Sequence, residues 1–466
     1  MEMSSSVACP HAPWFDAECR AIRRECRKTE RRYRRTRSDA DRSAFFAAAR
    51  HKHDQFAVKK NKYWSERIAE QHSNPGKLWQ SLSKLLRRDD DNCTATTAPL
   101  TADDFSRFFN DKVKLVREST ANCPPPASSR TVDSSLPELL VCSEDDVRRV
   151  ITSSPTKSCT LDPIPTFILK ETIDVLLPFV TAMVNASLRE GCLPASQKRA
   201  IITPLLKKPS LDAGEPKNHR PVSNLTFMSK VIERIVAEQL VKYLQVNDLM
   251  PKLQSAYRRR HSTETALLRV LSDIYAAADR REVTLLGLLD LSAAFDCVDH
   301  DILIERLQQS FGIRGNALTW IRSFLHERCQ QVAYKGQLSA LTELLFGVPQ
   351  GSVLGPLLFL LYTAELFDVI ARSGLVGHSY ADDTQVYISA PATSASTTVQ
   401  RFISCVEQVD AWMSSNRLKM NADKTQLIWL GTRQQLDKLT TTELDLLSAR
   451  VSFSATVSDL GVLVDS

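Results

Sequence analysis

The sequence predicts an α+β fold: an antiparallel sheet with packed helices in the second half of the chain, preceded by a basic helical N-terminal segment. Three observations carry this. No Pro or Gly occurs from Trp14 to Asn74, and the stretch from Arg20 to Arg37 is dense in Arg and Lys against only Glu25 and Glu30. The run Val283 to Leu289 is apolar, short and preceded by a charged turn, as in a strand buried on both faces. Apolar residues alternate on either side of Tyr380-Ala381-Asp382-Asp383, which puts that tetrapeptide at the turn of a β-hairpin.

Hydrophobic residues make up 43% of the 466 and charged residues 24%, a globular mixture with a large core. The formal net charge of +6 permits a polyanionic partner. Eleven cysteines are scattered without a CxxC pair, which suits free thiols in a reducing compartment. The N-terminus has no apolar signal core, and the longest apolar stretch, Val353 to Tyr362, contains Gly355 and Pro356 and is short for a bilayer. The expected location is intracellular, in cytoplasm or nucleus, with no membrane partner.

Residues 1–92 form the basic segment. Tyr33, Phe45, Phe46, Phe56, Tyr63, Trp64 and Ile68 interleave with its cations. Asn74-Pro75-Gly76 ends the long helices, and a short helix runs from Lys77 to Leu86. Such a charge run is either a solvated helix face or a phosphate-tracking surface; its steep local imbalance favours the second, with Arg23, Arg24, Arg27 and Arg31 as contacts. Residues 93–142 are polar and broken, as in a linker, interrupted by a helix from Ala102 to Val116 capped by Thr101 with Asp104 three residues on.

From Ser143 the chain becomes compact. Helices are expected from Glu144 through Ile151, from Phe167 to Leu188 with a break at Pro178, from Lys230 to Leu244 capped by Ser229, and from Ser262 to about Ala278. Arg199 to Leu206 is strand-like, and Arg220-Pro221 is extended because the residue before Pro avoids the helical region. Beyond the Val283–Leu289 strand come a helix from Asp301 to Gln309, a helical stretch Trp320 to His326, and a strand Gln330 to Tyr334 turning at Lys335-Gly336. Gly347-Val-Pro-Gln-Gly-Ser352 precedes an apolar helix, Leu354 to Ile370. A Gly-rich entry exposes backbone N–H groups to a phosphate, sugar or base, although hairpins and caps use the same residues. A Ser/Thr/Ala loop, Ala392 to Thr398, leads to an amphipathic helix from Gln400 to Ser415. The strand Thr425 to Leu430 and strands around Leu460-Gly461 close the chain.

The chemistry concentrates on Asp290, at the tip of the buried strand, and on Asp382 and Asp383. A carboxylate at a buried strand end is costly unless paired, hydrated or metal-bound, and two adjacent carboxylates raise each other's pKa. Each feature alone also fits a capped or solvated turn. If the two strands are antiparallel neighbours, the three carboxylates converge, and crowded oxygen ligands select hard cations, Mg²⁺ first, with Mn²⁺ as the alternative. Two such ions serve in-line displacement at a nucleoside triphosphate.

Eight blocks in order carry a resemblance: Lys157-Ser-Cys-Thr-Leu-Asp162; Arg220-Pro-Val-Ser; Gln254-Ser-Ala-Tyr-Arg258; Leu289-Asp290-Leu-Ser-Ala-Ala-Phe295-Asp296; Gly347-Val-Pro-Gln-Gly-Ser352; Tyr380-Ala-Asp-Asp383; Leu418-Lys-Met-Asn421 with Lys424; and Leu460-Gly461. Residues 143–466 resemble the reverse transcriptase of non-LTR (LINE-type) retrotransposons. The resemblance implies a right-hand polymerase fold, with fingers over 143–282 and a palm with an antiparallel sheet over 283–466. It implies an RNA-directed DNA polymerase taking an RNA template, a DNA primer and dNTPs, with Asp290, Asp382, Asp383 and the Leu291 carbonyl as metal ligands. Phe295 would pack on the sugar and exclude a 2′-hydroxyl, with core packing as its plain alternative. Gln350 and Gly351 would lie on the incoming nucleotide and template. Arg220 and Arg258 would meet triphosphate or template. Lys424 would protonate pyrophosphate, or be a strand-edge lysine. Cys159-Thr160 and Pro163 stand where the family favours Gly. No endonuclease is expected before the basic segment and no thumb after residue 466. That leaves an alternative: a truncated, inactive retroelement remnant that only binds nucleic acid.

Overall fold

Asp16 opens the first helix, Ala17–Thr36, by accepting a hydrogen bond from the Cys19 backbone N–H at 2.9 Å. The chain turns at Arg37, in left-handed conformation (φ +53°), and runs back as the helix Asp39–Gln71. The interleaved aromatics hold the pair together: Trp14, Phe15 and Phe56 meet edge to face with centroids 5.5–5.9 Å apart, and Tyr33 stacks on Phe45. Lys59 binds Asp16 and Glu18 across the hairpin. Arg23, Arg24, Arg27 and Arg31 are exposed. The computed structural model describes residues 14–71, 100–126, 130–447 and 449–466. This helical hairpin belongs to one unit, residues 1–96, and a second unit spans 97–466. The stop at Asn74-Pro75-Gly76 and the expected helix Lys77 to Leu86 lie outside the described residues.

The second unit begins within the stretch expected as linker. Thr101 and Asp104 form the reciprocal capping box, and the helix Ala102–Thr120 drives Phe105 to full burial among Ala200, Ile202, Leu225 and Val332. Leu136 exchanges backbone hydrogen bonds with Gly312 (2.9 Å) and Arg314 (3.0 Å). Residues 100–126 and 130–142 are therefore structured parts of this unit. Their apolar residues, though sparse, find a partner face that composition alone does not reveal.

Strands β1 (Arg199–Leu206), β2 (His219–Asn224), β3 (Glu282–Leu289), β4 (Cys329–Tyr334), β5 (Gln337–Leu338), β6 (Thr342–Glu343), β7 (Val376–Tyr380), β8 (Asp383–Pro391) and β9 (Gln426–Leu430) make two sheets. One runs β2-β1-β4-β5, with β6 also on β4; the other runs β7-β8-β3-β9, antiparallel throughout. β3 is central, and Val283, Leu285, Leu286 and Leu289 are each at most 4% exposed. Burying side chains of this size contributes about 1.5–3 kcal/mol each. One face packs on the helix Ala395–Ser415: the Phe402 ring lies where a Cβ on Gly287 would come within 2.4 Å of it. On the other face Val270 and Ile274, from the helix Thr263–Asp279, meet Leu286, Tyr387 and Ile428. Two further hairpins pair β10 (Glu443–Leu446) with β11 (Ala449–Ser452) and β12 (Thr456–Asp459) with β13 (Val462–Asp465); the second turns at Leu460-Gly461, both at positive φ.

Several helix ends differ from expectation. The helix expected from Phe167 to Leu188 breaks at Thr172, between Thr166–Glu171 and Ile173–Glu190, while Pro178 stays inside. An interior proline costs about 3 kcal/mol, offset here by the buried stripe Ile173, Leu177, Val184 and Leu188. Thr226, not Ser229, caps the helix Phe227–Val246, because Ser229 uses its hydroxyl to bind buried Glu233 at 2.9 Å. The helix after Ser352 is two, Leu354–Tyr362 and Leu366–Arg372. At their junction Glu365 pairs with Arg306 at 3.3 Å, each side chain 4% exposed. Leu354–Arg372 is apolar and long enough to cross a membrane (mean hydropathy 1.6), but 83% of it is buried within its own chain, as core.

Candidate active site

Asp290 leaves β3 one residue after the Leu289–Thr384 pair. Asp383 directly precedes Thr384 on β8, so the two acidic residues leave the same end of neighbouring strands. Asp382 sits in the two-residue turn closed by the Tyr380–Asp383 pair. Sheet pairing thus brings together three carboxylates far apart in the chain.

Asp290 and Asp382 line one cavity of about 370 Å³ together with Leu291, Phe295, Gln350, Gly351, Arg220 and Lys424. Asp383 stands beside it, exposed at the start of β8. Lys424 Nζ donates to Asp290 Oδ2 at 2.9 Å, and the Asn421 backbone N–H donates to the Asp290 carbonyl at 2.9 Å. The Phe295 ring stacks on Phe359, centroids 4.4 Å apart and planes 25° from parallel, which backs it against the core. The Gly-rich loop is fixed from behind. Gly347 N donates to Val298 O (2.8 Å), Val348 N to Phe295 O (2.9 Å), and Ser223 N on β2 to Gln350 O (2.6 Å). Gly351 has φ +120°, and a Cβ there would lie 2.5 Å from the Ser223 carbonyl oxygen.

The carboxylates feel one another. Burial first, then the charge of Asp290, raises Asp382 above its ordinary value, against Arg220 and Lys424. Although Asp383 as a residue is exposed, its carboxyl is hemmed in at the turn: loss of solvent around it first, then the charges of Asp382, Asp290 and Asp459, push it up to about 6. The donor set, carboxylate oxygens plus the Leu291 carbonyl, has the chemistry of a hard divalent cation site. Among the described residues, however, no three His, Cys, Asp or Glu side chains stand close enough to hold an ion as they are. Asp290 Oδ2 is instead turned to Lys424. The three share a field without sharing a ligating point.

Arg258 is not on the cavity wall. Its guanidinium donates to the Pro251 (2.7 Å) and Gln254 (3.1 Å) carbonyls and so braces its own loop, while the neighbouring Tyr257 lines the cavity. Arg23, Arg24, Arg27 and Arg31 lie in the other unit.

Sequence reasoning missed three charged wall residues. Asp296 accepts from Gln350 Nε2 at 2.7 Å, and burial pushes its carboxyl up to about 6; its place beside Phe295 was the one signal for it. Lys207 lines the wall just after β1, where a Lys pair ends a strand. Lys112, on the helix Ala102–Thr120, also lines it, and nothing in its local sequence points there. Burial, then the like charges of Lys112, Lys424 and Arg220, lowers the Lys207 pKa, so these cations form one positive field facing the carboxylates.

Comparison with known proteins adds an independent line. Residues 206–450 match the family model for reverse transcriptase (RNA-dependent DNA polymerase). The chain is 28% identical over 266 residues to the RNA-directed DNA polymerase from mobile element jockey of Drosophila melanogaster, covering 56% of this chain and 28% of that protein. It is 30% identical over 289 residues to the probable RNA-directed DNA polymerase from transposon BS of the same fly, 60% of this chain and 31% of that protein. A longer match, 23% over 468 residues, covers 97% of this chain and 44% of the retrovirus-related Pol polyprotein from type-1 retrotransposable element R1 of Bradysia coprophila. The chain spans less than half the length of each of these relatives.

Proposed function

The chain belongs to the reverse transcriptase (RNA-dependent DNA polymerase) family, with the LINE-type, non-LTR retrotransposon polymerases, and from that premise we propose that it extends a DNA primer on an RNA template by nucleotidyl transfer from dNTPs. The observation that carries the proposal is the meeting of Asp290 and Asp382, from separate strand ends, on one cavity wall with Phe295, Gln350 and Arg220. In this reading residues 143–282 act as fingers, with β4–β6 joining their sheet, and the rest of 283–466 acts as palm.

The primer 3′-hydroxyl attacks the α-phosphorus and pyrophosphate leaves. Mg²⁺ ions, with Mn²⁺ as the alternative, held by Asp290, Asp382, Asp383 and the Leu291 carbonyl, would activate the attacking hydroxyl and neutralise the departing oxygens. Arg220 and Lys207 draw the polyphosphate into the cavity by charge. Lys424, an ammonium beside Asp290, has a proton to give to the leaving group. Phe295, stacked on Phe359, has no room to retreat and so rejects a sugar bearing a 2′-hydroxyl. Gln350 and Gly351 border the nucleotide from a loop fixed to β2. The exposed arginines Arg23, Arg24, Arg27 and Arg31 track nucleic-acid phosphates, and Arg258 braces a loop beside the template path. We place the protein inside the cell on its eleven scattered cysteines, the pattern of thiols in a reducing compartment.

Primer extension on an RNA template with dNTPs and Mg²⁺ tests this. Extension that D382A abolishes is expected. No extension by the wild-type chain, or undiminished extension by D382A, overturns it. A second reading, a remnant that binds nucleic acid without copying it, is favoured by one observation: Lys424 pairs with Asp290, a carboxylate the polymerase reading needs for the cation. It expects salt-dependent binding that survives D290A and weakens when the four arginines become glutamines. Each phosphate that is no longer neutralised lowers the salt slope by about 0.7–0.9.

A further inference from the structure

The turn that carries Asp382 and Asp383 is strained. Its first residue, Ala381, has φ +60°, whereas Asp382 does not have positive φ. A two-residue hairpin turn with positive φ at its first position only takes Gly there by preference, because a Cβ clashes. A non-Gly residue in such a region is strained and persists only where its surroundings hold it.

The surroundings are one side chain from far away in sequence. Gln254 is 1% exposed. Its Oε1 accepts from the Ala381 backbone N–H at 2.9 Å, and its Nε2 donates to the Ala381 carbonyl at 3.0 Å. The same Oε1 accepts from Ala256 N at 3.0 Å, which fixes the amide in one orientation. The backbone around it is pinned to the hairpin too: Ser379 N donates to Leu253 O (2.9 Å) and Ser255 N to Ser379 O (2.9 Å), so this segment docks along β7 as an extra edge. One primary amide thus grips both polar groups of the strained residue that immediately precedes Asp382.

We propose that Gln254 is a positioning residue for the acidic turn: its amide holds Ala381 in left-handed conformation and thereby sets the placement of Asp382 and Asp383 for divalent cation. This rests on the polymerase reading of that site. Gln254 touches neither the cavity nor the reacting atoms; it acts through the backbone of Ala381. Without it, Ala381 relaxes toward negative φ, the turn rotates, and the two carboxylates lose their common aim.

The test measures cation binding directly. Gln254→Met keeps the length and apolar stem but removes the hydrogen bonds to Ala381. The shift in melting temperature on adding Mn²⁺ gives the affinity by linkage, alongside primer extension at varied Mn²⁺. The expected result for Q254M is a loss of Mn²⁺ affinity of about tenfold, that is about 1.4 kcal/mol. The maximal rate should fall more than the dNTP KM rises. Ala381→Gly, added to Q254M, removes the strain that Gln254 offsets and should recover part of the affinity. A merely structural Gln254 would lower the metal-free melting temperature and leave Mn²⁺ affinity unchanged; that result overturns the proposal, as does the absence of any recovery with A381G. If Q254M does not melt cooperatively, Q254N, which keeps the amide but shortens its reach by one methylene, carries the same test. D382A separates the two levels. If the wild-type chain binds no Mn²⁺ in a manner sensitive to D382A, the polymerase reading and this proposal fall together. If it does and Q254M and Q254N bind equally well, this proposal alone falls.

Discussion

Replacing Phe295 by Val tests whether the ring excludes a 2′-hydroxyl or only fills the core. The ring is half-buried, stacked on Phe359 at 4.4 Å, and its backbone carbonyl accepts from Val348 N at 2.9 Å. It is fixed from behind and from its own backbone, so the cavity side is the side from which a substrate meets it. Val removes the ring and opens space for one oxygen. Discrimination by shape against one small group is worth about 1–3 kcal/mol, or about 10- to 200-fold in kcat/KM. The stability cost is bounded by Phe-to-Ala losses of about 3–5 kcal/mol for fully buried rings, so a half-buried ring shortened to Val should lose about 2 kcal/mol and stay folded. The assay is single-nucleotide extension with a dNTP and the rNTP of the same base. The dNTP-to-rNTP ratio of kcat/KM should fall by about 10- to 200-fold in F295V, mainly through a gain for the rNTP. An unchanged ratio in a folded variant rules out the steric gate and leaves Phe295 as core packing.

Gly351→Ala forces a Cβ to 2.5 Å from the Ser223 carbonyl at φ +120° and strains the 2.6 Å Ser223–Gln350 hydrogen bond. A loss of about 2–4 kcal/mol in urea unfolding and a raised dNTP KM are expected, and unchanged stability would contradict it. Asp296 has its folded pKa raised from 3.8 to about 6, so its contribution is fully present below about pH 3.8 and is lost as pH rises through 6. The stability of D296N relative to wild type, followed by thermal melting, should therefore improve across about pH 4–6 by up to about 3 kcal/mol and level off above it; a flat difference across that range would remove the assignment. Arg306→Met strands Glu365 in the core and should cost about 3–5 kcal/mol, whereas the double variant with Glu365→Leu should regain most of it; additive losses in that cycle would show that the pair is not coupled.

Much of the site was legible in the sequence because its signals are local. A buried strand ending in Asp290 and a hairpin turning at Asp382 each follow from apolar spacing over a few residues, and their partnership follows once both are strands of one antiparallel sheet. The helix cap at Thr101 was equally readable, since a cap joins residues three apart, whereas the one expected at Ser229 moved to Thr226 because buried Glu233 takes the Ser229 hydroxyl.

Periodicity, caps and ordered motifs thus belong to the sequence itself, and with them the strands, most helices, the basic helical segment and the acidic residues. Which distant groups complete the site was settled by packing between elements. Lys112 reaches the cavity from a helix within the stretch expected to be linker, Gln254 grips a turn from far upstream, Arg258 turns away to its own backbone, and Lys424 settles on Asp290. Local pattern fixes which face a side chain takes. The face it then meets depends on close packing of whole elements, and that arrangement exists only once the chain has closed on itself.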